Sequence, residues 1–414
     1  MKKKGTIALV SLGCAKNAVD LQVRVGNMLK DGWTLSSDPD RADIVIVNTC
    51  SFIESAREEA EAEILRALQL KENGNYGKVV VTGCYPQRYP ELKSKFAGVD
   101  DWIGVPETWT EPKIPGLRFT GKAFAYLKVA EGCNHRCSYC AIPIIRGKYR
   151  SRPMASIVRE AKALVSSGCR ELNIVAQDPM LYGVDLRKPK QPKTSLVDVL
   201  RAIDRIKCDF WVRVLYTYPS EITEDFLAWM LTSKHAVRYL DVPLQHTDPD
   251  VLARMNRAGS IDAVQSAAEL LRAVLPGVTL RTTIMTGFPG ETEGRFNRMM
   301  ADLRRMQFDH LGAFAYSPEK GTAGAQMAGR PSRAEAERRE KAVMDQAKAL
   351  WKVRSKRRLG QVFKALVVAP GVARMMSQAP DVDGVTFVDS DQVGAFVDVK
   401  LTKVRGFDFE GVVA

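Results

Sequence analysis

Long apolar runs are missing from this 414-residue chain. None approaches the roughly 18 residues that a membrane-spanning helix requires. The run IALV, which follows the basic start MKKK, is much shorter than the apolar core of a secretory signal. We therefore expect a cytoplasmic protein without a membrane contact. With 45% hydrophobic and 26% charged residues, the composition is typical of a globular chain with two or three domains.

Histidine and cysteine are also scarce, with four and eight residues in the chain. Three of the cysteines nevertheless lie within EGCNHRCSYC, residues 131–140, as Cys133, Cys137 and Cys140. An odd number argues against a disulfide framework, and no second cysteine pair follows at the spacing of a zinc site. Three thiolates suit a four-iron cluster in a reducing compartment and leave its fourth iron open for a small molecule. His135, inside this triplet, is interpreted as a loop residue rather than a ligand.

The first hundred residues contain three similar stretches, TIALVSLGC, ADIVIVNTC and KVVVTGC. Each is a short run rich in β-branched residues that ends on a cysteine, namely Cys14, Cys50 or Cys84. Amphipathic helical stretches such as AREEAEAEILRALQLKE lie between them. Because the strands of an open parallel sheet end on one edge, we expect these cysteines to converge there as a metal or cluster site. The alternative is three buried cysteines that act as small apolar side chains.

Six further strand patterns alternate with helical patterns in the second segment. The strand patterns are AFAYLKVA, ELNIVAQD, WVRVLYTY, RYLDVPLQH, TLRTTIMTGF and HLGAFAYS. The helical patterns are MASIVREAKALVSS, SLVDVLRAIDRI, EDFLAWMLTS, IDAVQSAAELLRAVL and TEGRFNRMMADLRRM. Six units predict an incomplete parallel barrel rather than a closed eight-unit one. An active site then lies at the C-terminal ends of the strands, and the Cys133 triplet follows the first strand.

A long charged helix is predicted over residues 333–358, and the pattern changes after it. Short alternating stretches from Gly360 onward predict a small antiparallel β-barrel of the oligonucleotide-binding type. The expected fold class is therefore α/β with three domains. We expect a doubly wound parallel sheet in residues 1–118, an incomplete (β/α)6 barrel in residues 119–355 and the small barrel in residues 356–414.

The net charge of +13 favours an acidic partner such as RNA or a ribosome surface. The alternative is a basic surface that serves solubility. The net charge of residues 360–414 is opposite in sign to that of the whole chain, since they carry five basic and seven acidic side chains. We expect this acidic small barrel to attract a basic protein and to repel a phosphate backbone. The alternative is that two net charges on a small domain have no consequence for binding.

The motifs resemble those of a known enzyme family. The triplet, with aromatic Tyr139 before its last cysteine, resembles the cluster motif of the radical S-adenosylmethionine superfamily. VSLGCAKNAVD, NTCSFIESA and VTGCYPQR resemble the cysteine motifs of its methylthiotransferase family, and VAQDPMLYGVDL, YLDVPLQH and TGFPGETE resemble that family's barrel segments. NTCSFIESAREEA, AQD at 176–178 and MMSQAPDVDG resemble the branch that modifies ribosomal protein S-twelve. The resemblance covers essentially the whole chain.

This resemblance implies two [4Fe-4S] clusters, S-adenosylmethionine as a cofactor and a TRAM-type substrate-binding barrel at the C-terminus. The implied ligands are Cys133, Cys137 and Cys140 for the radical cluster, and Cys14, Cys50 and Cys84 for an auxiliary cluster. The implied reaction adds a methylthio group to the β-carbon of a loop aspartate in S-twelve. The implied partners are S-twelve, free or within the small ribosomal subunit, and an electron donor such as flavodoxin or ferredoxin.

Five residues are expected to bind the cofactor, and no general acid or base is assigned. Gln177 and Asp178 end the second barrel strand, where the superfamily binds the methionine amino group. Arg213, on the third strand, is expected to meet a carboxylate of the cofactor or of the substrate. Gln245 ends the fourth strand, and Tyr139 lies within the triplet. For the strand residues, the alternative is a structural role at the rim of the barrel.

The sequence departs from the family at two places. Leu21 and Gln22 follow CAKNAVD, where the family usually has a small residue and a glutamate. The residues DPM at 178–180 replace hydroxyl residues that are common in the S-twelve branch.

Two other functions stay open. One is an enzyme of the same type that modifies an adenosine of transfer RNA. The other is an RNA-binding protein whose clusters are structural, which conflicts with the absence of a fourth cysteine from each set.

Overall fold

A computed structural model describes residues 4–107, 109–186, 194–257 and 271–414. The elements of the N-terminal part are β1 (Gly5–Ser11), α1 (Ala15–Lys30), β2 (Trp33–Leu35), β3 (Ala42–Thr49), α2 (Glu54–Glu72), β4 (Tyr76–Gly83), α3 (Cys84–Arg88), a 3₁₀ helix (Pro90–Phe96) and β5 (Asp101–Ile103). The five strands form one parallel sheet in the order β2-β1-β3-β4-β5.

Helices cover both faces of this sheet, because side chains alternate along each strand. Ile46 of β3 packs in one buried cluster with Leu21 and Val25 of α1. Its neighbour Val47 packs in another buried cluster with Ile64 of α2. The predicted doubly wound sheet is therefore confirmed.

The central part contains β6 (Phe124–Lys128), β7 (Ala130–Glu131), α4 (Ile142–Arg146), β8 (Arg150–Ser151), α5 (Met154–Ser166), β9 (Glu171–Val175), α6 (Leu196–Asp204), β10 (Trp211–Val214), α7 (Glu224–Thr232), β11 (Tyr239–Asp241), α8 (Pro249–Arg254), β12 (Thr279–Thr286), α9 (Glu293–Met306) and β13 (His310–Ala315). Three short 3₁₀ turns occupy Pro179–Leu181, Pro219–Glu221 and Ala323–Gln326.

Six parallel strands of this part form the predicted incomplete barrel. They lie in two three-stranded sheets, β6-β9-β10 and β11-β12-β13. A parallel bridge between Val212 and Ala236 joins the two sheets. The helix predicted from IDAVQSAAELLRAVL falls mainly outside the described residues.

The long helix α10 (Arg333–Lys356) leads into the small barrel, whose strands are β14 (Val362–Ala369), β15 (Val372–Met375), β16 (Thr386–Phe387), β17 (Phe396–Arg405) and β18 (Asp408–Val413). The barrel is closed in the order β14-β15-β16-β18-β17. One pair, β16 with β18, is parallel, whereas the sequence predicts an antiparallel barrel. An odd number of strands cannot alternate in direction around a closed ring, so one parallel pair is unavoidable.

The small barrel packs against the N-terminal ends of the barrel strands. Arg374 of β15 pairs with Glu171, the first residue of β9. The hydroxyl of Tyr239, the first residue of β11, lies 2.7 Å from a carboxylate oxygen of Asp383. The N-terminal domain instead contacts the loops beyond the C-terminal ends of the barrel strands, where Arg88 pairs with Glu319 and Arg146 contacts Cys84. In the part of the chain that the structure describes, no helix is long and apolar enough to cross a membrane.

Candidate active site

Three cysteines, here called the auxiliary cysteines, lie at the carboxyl edge of the N-terminal sheet. Cys14 caps α1 directly after β1, Cys50 follows β3, and Cys84 begins α3 after β4. Their loops pack closely, since a Cβ at Gly13, where φ is +89°, would lie 2.9 Å from the Cβ of Cys50. The Oγ of Ser51 donates to the carbonyl oxygen of Cys84 at 2.9 Å. Parallel topology therefore brings together three cysteines that are distant in sequence.

The three auxiliary thiols share one electrostatic environment. Burial raises the pKa of Cys84 to about 12, and Arg146, whose Nη2 lies 3.3 Å from the Cys84 Sγ, acts against this rise. Burial also raises the pKa of Cys50, and the charge of Cys14 adds to the rise. Cys14 is exposed. Desolvation by the surrounding protein acts to raise its pKa, but the positive charges of Lys16 and Arg146 and nearby backbone N–H groups lower the pKa overall. A metal cluster suits this group, because metals bind cysteines as thiolates.

The Cys133 triplet lies in the loop between β7 and α4, at the C-terminal ends of the barrel strands. The backbone N–H of Cys133 donates to the carbonyl oxygen of Gly147 at 3.1 Å. Ser138 binds the end of α8 twice, through its N–H to the Met255 carbonyl at 3.0 Å and through its Oγ to the Arg254 carbonyl at 2.7 Å. These bonds hold the loop to both halves of the incomplete barrel.

Burial is also the largest influence on the pKa of the thiols in the triplet. It raises the pKa of Cys133 to about 11 and that of Cys140 to about 12. The Arg257 guanidinium lies beside the loop, with Nη1 at 3.7 Å from the Cys137 Sγ and its central carbon at 4.0 Å from the centre of the Tyr218 ring. A buried guanidinium at this position offsets part of the negative charge that three thiolates bring.

Each cysteine set offers three thiols, which are the usual ligands of iron–sulfur clusters. Among the residues that the structure describes, no group of three or more His, Cys, Asp or Glu side chains could hold a metal ion. The assignment of the six cysteines as cluster ligands stays a prediction.

Two buried amides favour a bound polar molecule at the same end of the barrel. Gln177 lies two residues beyond β9, and neither its Oε1 nor its Nε2 has a hydrogen-bond partner among the described residues. Gln245 lies beyond β11, and its Oε1 is equally unpaired there. Its φ of +71° is rare for a residue with a side chain, and such strain clusters at functional sites. An unpaired buried amide costs about 1–3 kcal/mol, which a polar ligand such as S-adenosylmethionine would offset.

Asp178 and Tyr139 are already bound by other protein groups. The Asp178 carboxylate accepts from the N–H of Met180 at 3.0 Å and lies 2.7 Å from the Nε2 of His135. The Tyr139 ring packs into a buried apolar cluster, edge-on to Phe288 at a centroid distance of 6.3 Å. Both residues thus shape the loop around the triplet, and a cofactor contact from either one stays a prediction.

The expectation that Arg213 meets a carboxylate of the cofactor or the substrate is wrong. Its side chain is fully buried, and its Nε donates to a carboxylate oxygen of Glu171 at 2.8 Å. Its Nη1 donates to the carbonyl oxygen of Met376 in the small barrel at 2.8 Å. Since Glu171 begins β9, the guanidinium points to the end of the barrel opposite the cysteines. Arg213 connects the two barrels.

A buried charge network extends from Cys84 to the residue that precedes the triplet loop. Arg146 Nη1 donates to Asp20 at 2.9 Å and to Glu131 at 2.8 Å, and Lys128 binds the same two carboxylates. Glu131 directly precedes the triplet loop, while the other end of Arg146 contacts Cys84. The network therefore links α1 and Cys84 of the sheet domain to the barrel next to the triplet loop.

Replacing Arg146 with methionine should lower the reduction potential of a cluster on the auxiliary cysteines. The change removes a hydrogen-bond donor and a positive charge next to a ligand sulfur, so an added electron is less stable. A loss of about 1.4 kcal/mol corresponds to about 60 mV for one electron. A redox titration followed by electron paramagnetic resonance measures the shift, in protein whose triplet is replaced by alanine so that one cluster gives the signal.

The matched control is Arg159→Met, because this arginine is 59% exposed on α5. It should leave the potential unchanged. Equal potentials in the Arg146 variant and the control would contradict the assigned contact.

Sequence reasoning missed Arg146, Arg257 and Tyr218. The stretch RGKYRSR after the triplet signals a cluster of arginines, but it does not indicate which of them turns toward Cys84. At the departure from the family pattern, Gln22 is buried, and its Oε1 accepts from the N–H of Phe119 at 3.1 Å. Gln22 therefore ties α1 to the segment before the barrel, and a neutral amide oxygen is sufficient for that bond.

Three families match successive parts of the chain. An uncharacterized protein family, UPF0004, matches residues 6–104, the radical SAM superfamily matches residues 127–303, and the TRAM domain matches residues 360–414. The second match contains the triplet, and the first contains the auxiliary cysteines.

Relatives with assigned functions match over nearly their full length. The chain is 39% identical to the ribosomal protein uS12 methylthiotransferase RimO of Moorella thermoacetica, over 98% of this chain and 99% of the relative. It is 37% identical to the protein of the same name from Syntrophus aciditrophicus, over 98% of both chains. uS12 is another name for S-twelve.

Solved structures of lower identity share the fold. The radical S-adenosylmethionine methyltransferase TsrM from Kitasatospora setae, with cobalamin and a [4Fe-4S] cluster bound, aligns with a TM-score of 0.54 at 15% identity, over 76% of this chain and 73% of TsrM. OxsB, a cobalamin-dependent S-adenosylmethionine radical enzyme, with aqua-cobalamin and S-adenosylmethionine bound, aligns with a TM-score of 0.51 at 12% identity, over 78% of this chain and 54% of OxsB.

Proposed function

Since the chain belongs to the family of ribosomal protein uS12 methylthiotransferases, we propose that it adds a methylthio group to the β-carbon of a loop aspartate in uS12. The observation that carries this proposal is the pair of three-cysteine sets, one at the edge of a parallel sheet and one at the opening of the barrel. Arg146 contacts Cys84 of the first set and Glu131, which precedes the second. A reaction that activates a C–H bond and delivers sulfur needs two such centres side by side.

S-adenosylmethionine and [4Fe-4S] clusters are the cofactors of this enzyme. When bound, they supply the radical and sulfur chemistry that no side chain supplies at an unactivated carbon. We propose that the triplet and the auxiliary cysteines each hold one cluster through three thiolates.

The chain's own residues bind, orient and shield the reactants. Gln177 and Gln245 offer unpaired amide groups to the polar groups of S-adenosylmethionine. Arg257 and Arg146 place positive charge next to one thiol of each set. Because Cys84 is 6% exposed, one of the auxiliary thiols has almost no contact with water. Exclusion of water protects a reactive intermediate from side reactions.

The test compares cells with and without this gene. Mass spectrometry of uS12 should show the added mass of a methylthio group on an aspartate peptide in the wild type and its loss in the deletion strain. Bulk transfer RNA, digested to nucleosides, is the control and should be unchanged. Loss of a methylthio-adenosine from transfer RNA, with unchanged modification of uS12, would show that the chain is the transfer-RNA enzyme instead. The uS12 names of the relatives do not favour this alternative.

Three further points extend this proposal. The enzyme works in the cytoplasm, where ribosomes and reducing conditions are found. A small acidic electron-transfer protein such as flavodoxin or ferredoxin reduces it. The small barrel holds uS12, and the exposed side chains of Asp389 and Asp391 present negative charge to this basic protein.

A further inference from the structure

A cleft lined by arginines lies near the N-terminal ends of the barrel strands, away from both cysteine sets. It has a volume of about 350 Å³ and is bounded by the end of α9, the end of α10 and the start of the small barrel. One acidic residue, Asp309, lines it. The basic residues that line it are Arg272, Arg305, Arg354, Arg357 and Arg358.

Three of these arginines have structural partners. Arg272 and Arg354 both donate to the carbonyl oxygen of Gln307, which ends α9 in a left-handed conformation. Arg354 also binds the Asp309 carboxylate at 2.6 Å. Arg358 donates from its Nη1 to the Oγ of Ser377 at 2.9 Å. These bonds explain why three guanidiniums lie here, and they leave Arg305 and Arg357 to explain.

The guanidinium groups of the cleft carry more positive charge than the nearby carboxylates neutralise. Burial lowers the pKa of Arg358, and Arg354 lowers it further, although Asp309 acts in the opposite direction. Arg305 is 59% exposed and pairs with Asp302 at 3.1 Å, and an exposed pair of this kind contributes little stability. Arg357 is exposed directly after α10. An anion in the cleft would meet guanidiniums whose charge is not fully neutralised.

We propose that this cleft binds the phosphodiester backbone of RNA, namely the RNA that surrounds a ribosomal protein, and this rests on the proposed function. Guanidinium groups bind phosphate oxygens through paired hydrogen bonds. Asp309 also lines a second cleft, where the ring of Phe407 is 38% exposed. Five arginines spread along one cleft, two of them exposed, suit the successive phosphates of a nucleic acid strand better than a single phosphate ion.

The position of the cleft disfavours an acidic electron donor as the occupant. Asp309 directly precedes β13, whereas the cysteines lie at the opposite ends of the strands. The neighbouring strand β12 has eight residues and is therefore about 26 Å long. An electron donor must approach the clusters more closely than this distance. RNA, by contrast, can contact the enzyme at one place while a basic protein bound to that RNA contacts it at another. The basic cleft would then bind the RNA and the acidic small barrel the protein.

The test measures binding of the full-length protein to a short fluorescein-labelled hairpin of small-subunit ribosomal RNA by fluorescence anisotropy. The double variant Arg305→Gln and Arg357→Gln should reduce the slope of log K against log salt by about 2, from about 50 to 200 mM salt. Its affinity should fall about tenfold at the lower salt concentration. The matched control, Arg333→Gln with Lys348→Gln, changes the same charge on exposed residues of α10 and should keep the wild-type slope.

Two further measurements separate this inference from the function on which it rests. Methylthiolation of free uS12 with dithionite as the reductant should be equal in the wild type and the cleft variant, since neither arginine is near the cysteines. Equal RNA affinity and salt slope in the cleft variant and the control would overturn the inference, whatever the uS12 result. Loss of flavodoxin-supported turnover with unchanged RNA binding would overturn it in favour of the electron donor.

Discussion

Anaerobically reconstituted protein in which alanine replaces Cys133, Cys137 and Cys140 will hold about half of the wild-type iron and form no 5′-deoxyadenosine. The wild type should hold about eight irons as two four-iron clusters, and the variant should keep the four on the auxiliary cysteines. Cleavage of S-adenosylmethionine should disappear, because the triplet is the cysteine set that lies at the barrel opening with Gln177 and Gln245. Iron analysis and chromatography of the reaction products measure the two effects.

The reciprocal variant separates the roles of the two sites. Alanine at all three auxiliary cysteines should also halve the iron content, but it should leave S-adenosylmethionine cleavage intact and abolish methylthiolation. Circular dichroism verifies that the variant is folded. If a folded auxiliary variant forms no 5′-deoxyadenosine, the proposed division of labour does not hold.

The two cysteines outside these sets provide matched controls. Cys169 is fully buried, with its Sγ at 3.2 Å from the carbonyl oxygen of Glu171, and Cys208 lies 3.8 Å from the carbonyl oxygen of Asp209. Cys169→Ala and Cys208→Ala should keep full iron content and turnover, at the modest stability cost of altering a small side chain. Loss of a cluster in either variant would show that the ligand assignment is incomplete.

The sequence was informative where local patterns determine the geometry. Cys14, Cys50 and Cys84 each follow a strand of one parallel sheet, so the topology alone predicts that they share an edge. The same argument predicts Gln177 and Gln245 at the opening of the barrel, because each follows a barrel strand. In these cases the position of a residue along its own strand fixes its place in the site.

Contacts between distant elements could not be predicted in this way. Arg213 was expected to meet a carboxylate at the active site, yet its partners Glu171 and Met376 lie at the other end of the barrel. The reason is that the docking of the small barrel, which no pattern in β10 reveals, decides which way the guanidinium points. Arg146 is a similar case, since its contact with Cys84 depends on how two domains meet.

Replacing Glu171 with glutamine will reduce the free energy of unfolding by about 3–5 kcal/mol at neutral pH. Arg213 from β10 and Arg374 from β15 both bind this carboxylate, and all three side chains are at most 3% exposed. Glutamine keeps the shape but removes the charge, so two buried guanidiniums lose their counter-charge. Urea unfolding followed by circular dichroism measures the change. Asp225→Asn is the matched control, since Asp225 pairs with Arg201 on the surface and should contribute little.

The size of this effect should depend on pH in a defined direction. Burial by itself would raise the pKa of Glu171, but Arg374 and Arg213 outweigh it, so the pKa in the folded protein lies below its usual value. A group with a lowered pKa contributes stability that is fully present above its unfolded pKa, about 4.3, and is lost as the pH falls through the folded pKa. The difference between wild type and Glu171→Gln should therefore be constant from about pH 6 to 8 and shrink below about pH 4. A difference that stays constant down to the acid range would mean that Glu171 stabilises the junction of the two barrels by its shape and not by its charge.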